Sequence, residues 1–312
     1  MHPALSIIFF TTASGAGYGL LVLLAWGALV GHLAPQFGLG LCAFATSLGL
    51  VGAGLLSSLG HLGHPERAWW ALTQWRSSWL SREGVMAILT FLPALTFAGL
   101  WILDGTVSRP AAALAILGAA VTTICTAMIY ASLKPVRAWR NLWTVPIYLV
   151  LALYTGALLM ELLLNAFGLR GPFIPFLVAV AGIAGAILKT GYWAFLDGGR
   201  SSSTPETATG LGAIGNVKML DPPNTEENYL LKEMGYRVAR KHATRLRAIV
   251  LVLGFIVPIA LSVLTLYVSP AAATLFSLVA VISGALGILA ERWLFFAEAK
   301  HTVTLYYGAS KA

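Results

Sequence analysis

Apolar residues collect along the chain in eight long runs, which short polar segments separate. The runs cover residues 6–33, 39–60, 84–103, 111–133, 143–167, 173–196, 246–268 and 271–290. Each run approaches or exceeds the roughly 20 residues that a helix needs to cross a hydrocarbon core of about 30 Å. The pattern predicts an all-α fold: a polytopic membrane helix bundle of about eight transmembrane helices, with both termini on the same side.

Composition indicates a membrane environment for the whole chain. Of the 312 residues, 58% are hydrophobic and only 10% are charged, whereas a soluble domain carries about 25% charged residues. Ten Trp and ten Tyr supply amphipathic rings for the two membrane interfaces. Residues 1–312 are therefore predicted to form a single integral membrane domain.

The basic residues lie almost entirely on one side of the predicted bundle. Only Arg109 and Arg170 fall on one side, and the other 18 of the 20 Lys and Arg fall on the side of the termini. The positive-inside rule makes that side cytoplasmic, although docking of a partner would give the same asymmetry. The net charge of +8 comes without a basic nucleic-acid-binding module, so no nucleic acid partner is expected.

The longest polar segment, residues 197–245, follows the sixth run. It begins rich in Ser, Thr and Gly and ends in a basic cluster that includes Arg237 and Arg240. A loop of this length in a compact protein is usually functional or ordered by a partner. We predict a cytoplasmic loop that a partner subunit orders, and its basic cluster fits both partner docking and binding to anionic lipid headgroups.

The loop after the second run carries the densest chemistry. Residues 61–84 include four Trp, two His, two Glu and three Arg, which indicates a segment folded against the membrane interface. Its aromatic and basic side chains, with three basic ones from the loop after the fourth run, are candidates for partner docking. They are Trp69, Trp70, Trp75, Arg76, Arg82, Lys134, Arg137 and Arg140.

His61, His64 and Glu83 are candidates for proton transfer. The two histidines are three residues apart and are predicted to share a face in the last turn of the second helix, beside Glu83 in the first turn of the third. Such groups could pass protons to a bound quinone, whose two-electron reduction requires two protons. A structural interpretation is equally open, in which Ser81 caps the third helix and helix dipoles favour Glu83 and the histidines.

The other ionisable groups give weaker predictions. Glu291 and Arg292 end the eighth run and are expected to form an interfacial ion pair, and Lys189 is placed where it could extend to the membrane surface. The two cysteines, Cys42 and Cys125, are too few for a metal or iron–sulfur site. Haem is not expected, because no pair of histidines lies at mid-membrane depth.

Four groups of residues together resemble the membrane anchor subunits of dimethyl sulfoxide reductases, over nearly the whole chain. These are His61-Leu62-Gly63 with Pro65 and Arg67-Ala68, Ser81-Arg82-Glu83, Trp143-Thr144 with Pro146, and Glu291-Arg292. The resemblance implies an anchor without a redox centre of its own, which binds an iron–sulfur subunit and, through it, a molybdenum catalytic subunit.

In that family the anchor exchanges electrons with ubiquinone or menaquinone. The histidine and glutamate at the positions matching His61 and Glu83 act at the quinone site, so the resemblance assigns these two residues to it. Arg67 and His64 are further candidates for quinone binding, and some family members place a different residue at the position that matches His64. The anchor's contribution to the enzyme would be the quinone-reactive site alone.

Two loops are similar to the branch of the family that anchors sulfite-oxidising molybdenum complexes, whose catalytic arm is cytoplasmic. They are the Trp- and Arg-rich loop after the second run and residues 228–235. This implies a bacterial inner-membrane protein with cytoplasmic termini that passes electrons from sulfite to quinone. The alternatives are an anchor of a dimethyl sulfoxide or polysulfide reductase that oxidises quinol, and a transporter.

Overall fold

A computed structural model of the chain describes residues 4–61, 63–198, 203–221, 223 and 242–311. Eight of its helices are long and apolar enough to cross a membrane, and the described part contains no β-strand. They are α1 (Leu5–Leu29), α2 (Phe37–Ser57), α3 (Trp79–Leu103), α4 (Arg109–Ala131), α5 (Thr144–Ala166), α6 (Phe173–Asp197), α7 (Ala243–Tyr267) and α8 (Pro270–Ala297). The predicted all-α bundle of eight spans is confirmed.

Helix α1 lies inside the bundle and packs against α2, α4 and α5. It crosses α5 closely at Gly19 and Gly156: a Cβ atom on Gly19 would lie 1.8 Å from the carbonyl oxygen of Ala152. Small residues at such crossings allow helix backbones to approach in lipid, where van der Waals contact drives association.

Helix α7 contains one turn of π-helix, Val252–Ile256. The wider turn brings Gly254 against Gly287 of α8, where a Cβ atom on Gly287 would lie 2.2 Å from the Gly254 backbone. The Gly254 carbonyl oxygen accepts a hydrogen bond of 2.8 Å from the Tyr154 hydroxyl of α5. A π-turn can leave a backbone carbonyl group without a partner inside the helix, and its cost in folding free energy is smaller when a buried donor satisfies that group.

The ends of α2, α4, α6 and α8 meet at one face of the bundle, here named the basic face. The Ser57 hydroxyl at the end of α2 donates to the carbonyl oxygen of Ser6 in α1 at 3.1 Å. The Trp139 ring nitrogen, in the loop after α4, donates to the Phe295 carbonyl oxygen of α8 at 2.9 Å. These contacts join the beginning of α1 to the end of α2, and the loop after α4 to the end of α8.

Two helices are longer than their apolar runs predict. Helix α3 begins at Trp79, five residues before the run, because the Ser78 hydroxyl accepts a hydrogen bond from the backbone N–H of Ser81 and caps the first turn. Ser81, which the structural interpretation placed at the cap, instead lies inside the helix. Helix α8 continues to Ala297, beyond the predicted end at Ala290.

Candidate functional site

Glu83 is the fifth residue of α3, and its side chain is buried inside the bundle at the basic face. A buried carboxyl group is costly unless hydrogen bonds satisfy it. The Thr126 hydroxyl of α4 makes a short hydrogen bond to Glu83 Oε1. The same hydroxyl oxygen lies 3.1 Å from the carbonyl oxygen of Thr122.

The Glu83–Thr126 contact can satisfy both protonation states of the carboxyl group. When Glu83 is ionised, the Thr126 hydroxyl donates to it. When Glu83 carries a proton, it can donate to Thr126, whose own hydrogen then turns to the Thr122 carbonyl oxygen. A group that gives and takes protons needs such an arrangement, because neither state is then left with an unsatisfied buried donor.

A small polar cavity of about 20 Å³ adjoins Thr126, which is room for about one water molecule. Its polar wall comes from α1, α4, α5 and α8. The polar lining residues are Thr11, Thr12, Ser14, Tyr18, Thr123, Thr126, Tyr148, Thr155 and Arg292. Among the described residues, the Tyr18 hydroxyl and Arg292 Nη1 have no hydrogen-bond partner, so water in the cavity would satisfy them.

A cluster of three buried charges joins α6 to α8 next to this cavity. Lys189 Nζ lies 2.6 Å from Glu291 Oε1, and Arg292 Nε lies 2.9 Å from Glu291 Oε2. Each of the three residues is at most 2% exposed. The Arg292 guanidinium carbon also lies 4.1 Å from the centre of the Tyr148 ring, a cation–π distance.

Glu291 and Arg292 form the predicted ion pair, but they and Lys189 are buried inside the bundle, so their predicted position at the membrane surface is wrong. The prediction treated each charge as a single group at a helix end, for which the surface is the least costly position. The structure instead pairs the charges across α6 and α8, so their desolvation is offset inside the bundle.

The two histidines do not share the predicted helix face. Helix α2 ends at Ser57, the chain continues as a 3₁₀-helix through His61, and His64 lies beyond it, so the prediction is wrong. His64 is exposed, with its Nδ1 3.0 Å from Glu66 Oε1. The side chain of His61 lies outside the described part of the structure.

A 3₁₀-helix, Pro65–Gln74, lies against the first turns of α3 and is here named the loop helix. The Ser81 hydroxyl makes a short hydrogen bond to the Ala71 carbonyl oxygen. A Cβ atom on Gly84 would lie 2.7 Å from Leu72, so glycine permits this close contact. Arg67 lies on the loop helix and is exposed, whereas Glu83 is buried beneath the loop helix.

The aromatic residues of the loop helix form an exposed surface at the basic face. Trp69, Trp70 and Trp75 are each more than half exposed, and the rings of Trp69 and Trp70 stack at 4.3 Å. Exposed apolar surface of this kind marks contact with a partner or with the membrane.

The candidate docking cations divide into two groups. Arg76, Lys134 and Arg140 are exposed. By contrast, Arg82 donates to the carbonyl oxygens of Trp75 and Arg76, and Arg137 donates to that of Phe195. These two cations therefore hold loops of their own chain in place. Arg237 and Arg240 lie outside the described residues.

The opposite half of the bundle buries a carboxyl group that the sequence analysis did not single out. Glu161 of α5 accepts hydrogen bonds from the Ser262 hydroxyl at 2.6 Å and the Thr265 hydroxyl at 2.9 Å, both on α7. Each carboxylate oxygen thus has one donor.

The sequence analysis also missed Thr126 as a partner of Glu83. A signal was present, because Thr122, Thr123 and Thr126 interrupt an otherwise apolar helix at spacings of three and four residues, which place them near one face. Within the described residues, no group of three or more His, Cys, Asp or Glu could hold a metal ion.

The fold and site together define a multi-pass membrane protein with a buried carboxyl group beneath one face. The chain belongs to the DMSO reductase anchor subunit (DmsC) family, whose model matches residues 1–308. It is 31% identical to the C subunit of the sulfite dehydrogenase of Allochromatium vinosum, over 98% of this chain and 99% of that protein. The predicted resemblance to the family is confirmed, and the chain is a membrane anchor of a molybdoenzyme complex.

Proposed function

We propose that this anchor passes electrons from sulfite, oxidised in the cytoplasm by partner subunits, to the quinone pool of a bacterial inner membrane. The observation that carries the proposal is Glu83, a buried carboxyl group whose contact with Thr126 suits both of its protonation states. The similarity to a protein named as part of a sulfite dehydrogenase supports the substrate.

Quinone reduction consumes two electrons and two protons to give quinol. In the proposal, Glu83 gives one proton to a quinone oxygen, and His61, assigned by the family resemblance, gives the other. The electrons come from an iron–sulfur subunit docked at the basic face. The Thr126 hydroxyl then holds the Glu83 carboxylate until it is reprotonated.

The quinone ring cannot occupy the cavity beside Thr126, because about 20 Å³ holds roughly one water molecule. We infer that the ring enters from the lipid and binds beside the loop helix, because this helix packs too closely on the first turns of α3 to admit a ring between them. The exposed side chains of His64, just before the loop helix, and Arg67, on the loop helix, would border the entrance.

Partner docking is assigned to the exposed aromatic and basic residues of the basic face. Trp69, Trp70 and Trp75 supply apolar contact, and Arg76, Lys134 and Arg140 supply charge. The molybdenum cofactor and the iron–sulfur clusters reside in the partner subunits, which also order residues 197–245. Because sulfite oxidation and proton uptake share the cytoplasmic side, this step builds no membrane potential.

The direct test replaces Glu83 by Gln in the assembled complex. We expect at least a 100-fold loss of sulfite-to-quinone turnover, because proton transfer by a positioned group commonly contributes factors of 10² to 10⁴. Turnover with an artificial dye, which bypasses the anchor, is expected to stay unchanged. His61→Ala should reproduce this pattern.

Thr126 offers a matched pair of variants for the same test. Thr126→Val removes the hydroxyl at constant shape and should lower quinone turnover about tenfold, the rate equivalent of one lost hydrogen bond of about 1.4 kcal/mol. Thr126→Ser keeps the hydroxyl and should stay within about twofold of the parent. Full quinone turnover in both Glu83→Gln and His61→Ala would overturn the proposed site.

A second candidate function is the reverse reaction, in which the complex oxidises quinol and reduces dimethyl sulfoxide or a similar acceptor. The description of the matching family as DMSO reductase anchors favours it. The purified complex with quinol and dimethyl sulfoxide, or with sulfite and quinone, distinguishes the two directions. We expect turnover only with sulfite.

A further inference from the structure

We propose that Arg292 is a positioning residue for the Glu83 proton and acts through water held in the cavity that Arg292 and Thr126, the hydrogen-bond partner of Glu83, both line. In this inference, which rests on the proposed function, the Arg292 charge favours the ionised Glu83 carboxylate. It thereby sets the pH above which quinone reduction falls.

The first support is the geometry of the cavity. Thr126, which is hydrogen-bonded to Glu83, and Arg292 both line it. The cavity is the size of about one water molecule. A water molecule there can bridge the two walls and connect the guanidinium group to the Thr126–Glu83 hydrogen bond.

The second support is the incomplete pairing of Arg292. Its Nε lies 2.9 Å from Glu291 Oε2, but its Nη1 is buried without a hydrogen-bond partner among the described residues. Glu291 also binds Lys189 through its other oxygen, at 2.6 Å. One carboxylate therefore serves two buried cations, and the triad of Lys189, Glu291 and Arg292 keeps an excess of positive charge.

The carboxylates near the membrane surface are already engaged elsewhere. Arg247 Nη1 lies 2.7 Å from Asp197 Oδ2, and Arg247 Nη2 lies 2.7 Å from Glu298 Oε1. Asp197 is largely exposed, so water screens its charge. Glu83 is the buried carboxyl group on the cavity side of the triad whose negative charge can balance the positive charge of Arg292.

The remaining groups around Glu83 and Arg292 leave this balance unchanged. The titratable and charged groups that face them are Tyr18 of α1, Arg82 of α3, Cys125 and Tyr130 of α4, Tyr148 of α5, Lys189 and Tyr192 of α6, Arg247 of α7, and Glu291 and Glu298 of α8. The phenols and the thiol are neutral near pH 7. The Arg82 guanidinium is directed at loop carbonyl oxygens instead.

The experiment measures the pH profile of quinone-coupled turnover in the assembled complex, normalised to dye-linked turnover at each pH. With Arg292→Gln, Glu83 should keep its proton to higher pH, and the alkaline limb should move up by about one pH unit, the scale of one nearby charge. Arg292→Lys retains the charge and should restore the parent profile.

Arg245→Gln is the matched control, because it removes an exposed cation from the same face at a position away from the cavity. Its profile should equal that of the parent. Infrared difference spectra give a second readout: the C=O band of protonated Glu83, identified by its loss in Glu83→Gln, should persist to higher pH in Arg292→Gln.

If Arg292→Gln assembles and neither the profile nor the infrared band moves, the inference is wrong. If Arg292→Gln fails to assemble, Thr123→Val tests the inference instead, because this variant removes one hydroxyl group from the cavity wall at constant shape. A shift in the same direction, smaller than one pH unit, supports the inference, and no shift overturns it. These outcomes are separate from the proposed quinone site, which fails only if Glu83→Gln and His61→Ala keep full quinone turnover.

Discussion

The two halves of the bundle bury their carboxyl groups in different ways. In the half away from the basic face, each oxygen of Glu161 accepts a hydrogen bond from a hydroxyl group of α7. In the half at the basic face, Glu83 has one hydroxyl partner, Thr126, beside a cavity that can hold water. Glu83 therefore has a single hydroxyl partner, whereas Glu161 is bound on both oxygens.

Glu291 belongs to the basic half but resembles Glu161 in being bound on both oxygens, here by the cations Lys189 and Arg292. The difference among the three glutamates therefore lies in the number of their partners. It does not lie in burial, since all three are at most 4% exposed, nor in the presence of a cavity, since Glu161 lines one of about 20 Å³. This contrast supports structural roles for Glu161 and Glu291, beside the proton-transfer role that we propose for Glu83.

The largest expected effect on folding is that of Glu291→Gln. The change leaves Lys189 and Arg292 buried without a counter-charge, and removing one partner of a buried ion pair costs about 3–5 kcal/mol. We expect a large fall in the thermal unfolding midpoint of the purified complex in detergent.

Lys189→Met combined with Glu291→Gln gives the control for this prediction. Because the double variant buries one unpaired cation instead of two, it should recover part of the lost stability. If Glu291→Gln unfolds at the same temperature as the parent, the triad does not stabilise the fold. Glu291 is then no longer a structural glutamate with which Glu83 can be compared.

A smaller effect is expected from Glu161→Gln. The amide keeps one oxygen to accept from Ser262 or Thr265 but turns an NH₂ group toward the other hydroxyl, which costs about 1–2 kcal/mol. Stability should fall modestly, and quinone turnover should stay within about twofold of the parent. A loss of turnover as large as that of Glu83→Gln would show that both halves take part in proton transfer.

The sequence predicted the helix count because each apolar run depends on residues that lie close along the chain. It placed the start of α3 at Gly84 and the end of α8 at Ala290, since hydropathy alone treats Arg82, Glu83, Glu291 and Arg292 as polar ends. In the structure α3 begins at Trp79 and α8 continues to Ala297.

The partners of these polar groups could not be predicted from the sequence for the same physical reason. Lys189 lies 102 residues from Glu291, and Thr126 lies 43 residues from Glu83. Pairing between separate helices depends on their rotation and depth, which local patterns do not encode. The side-by-side placement of His61 and His64 failed differently: it assumed that α2 stays α-helical beyond Ser57.

The smallest expected effect lies at the basic face outside the membrane spans, at His301. Burial lowers the pKa of its imidazole, and its Nδ1 accepts a hydrogen bond of 3.0 Å from the backbone N–H of Val303, which begins the turn Thr302–Tyr307. Because the folded state binds this proton less readily than the unfolded chain, its stabilising contribution is present above about pH 6.5 and is lost as the pH falls below that value. The protection factor of the Val303 amide, which is its intrinsic exchange rate divided by its observed rate at the same pH, should therefore fall between about pH 7 and pH 5 in the parent, and less so in His301→Gln. The alkaline limb of the quinone-turnover profile should be the same in both proteins, because His301 is already neutral there. A shift of that limb in His301→Gln would mean that the pH response assigned to Glu83 and Arg292 arises at the surface of the bundle.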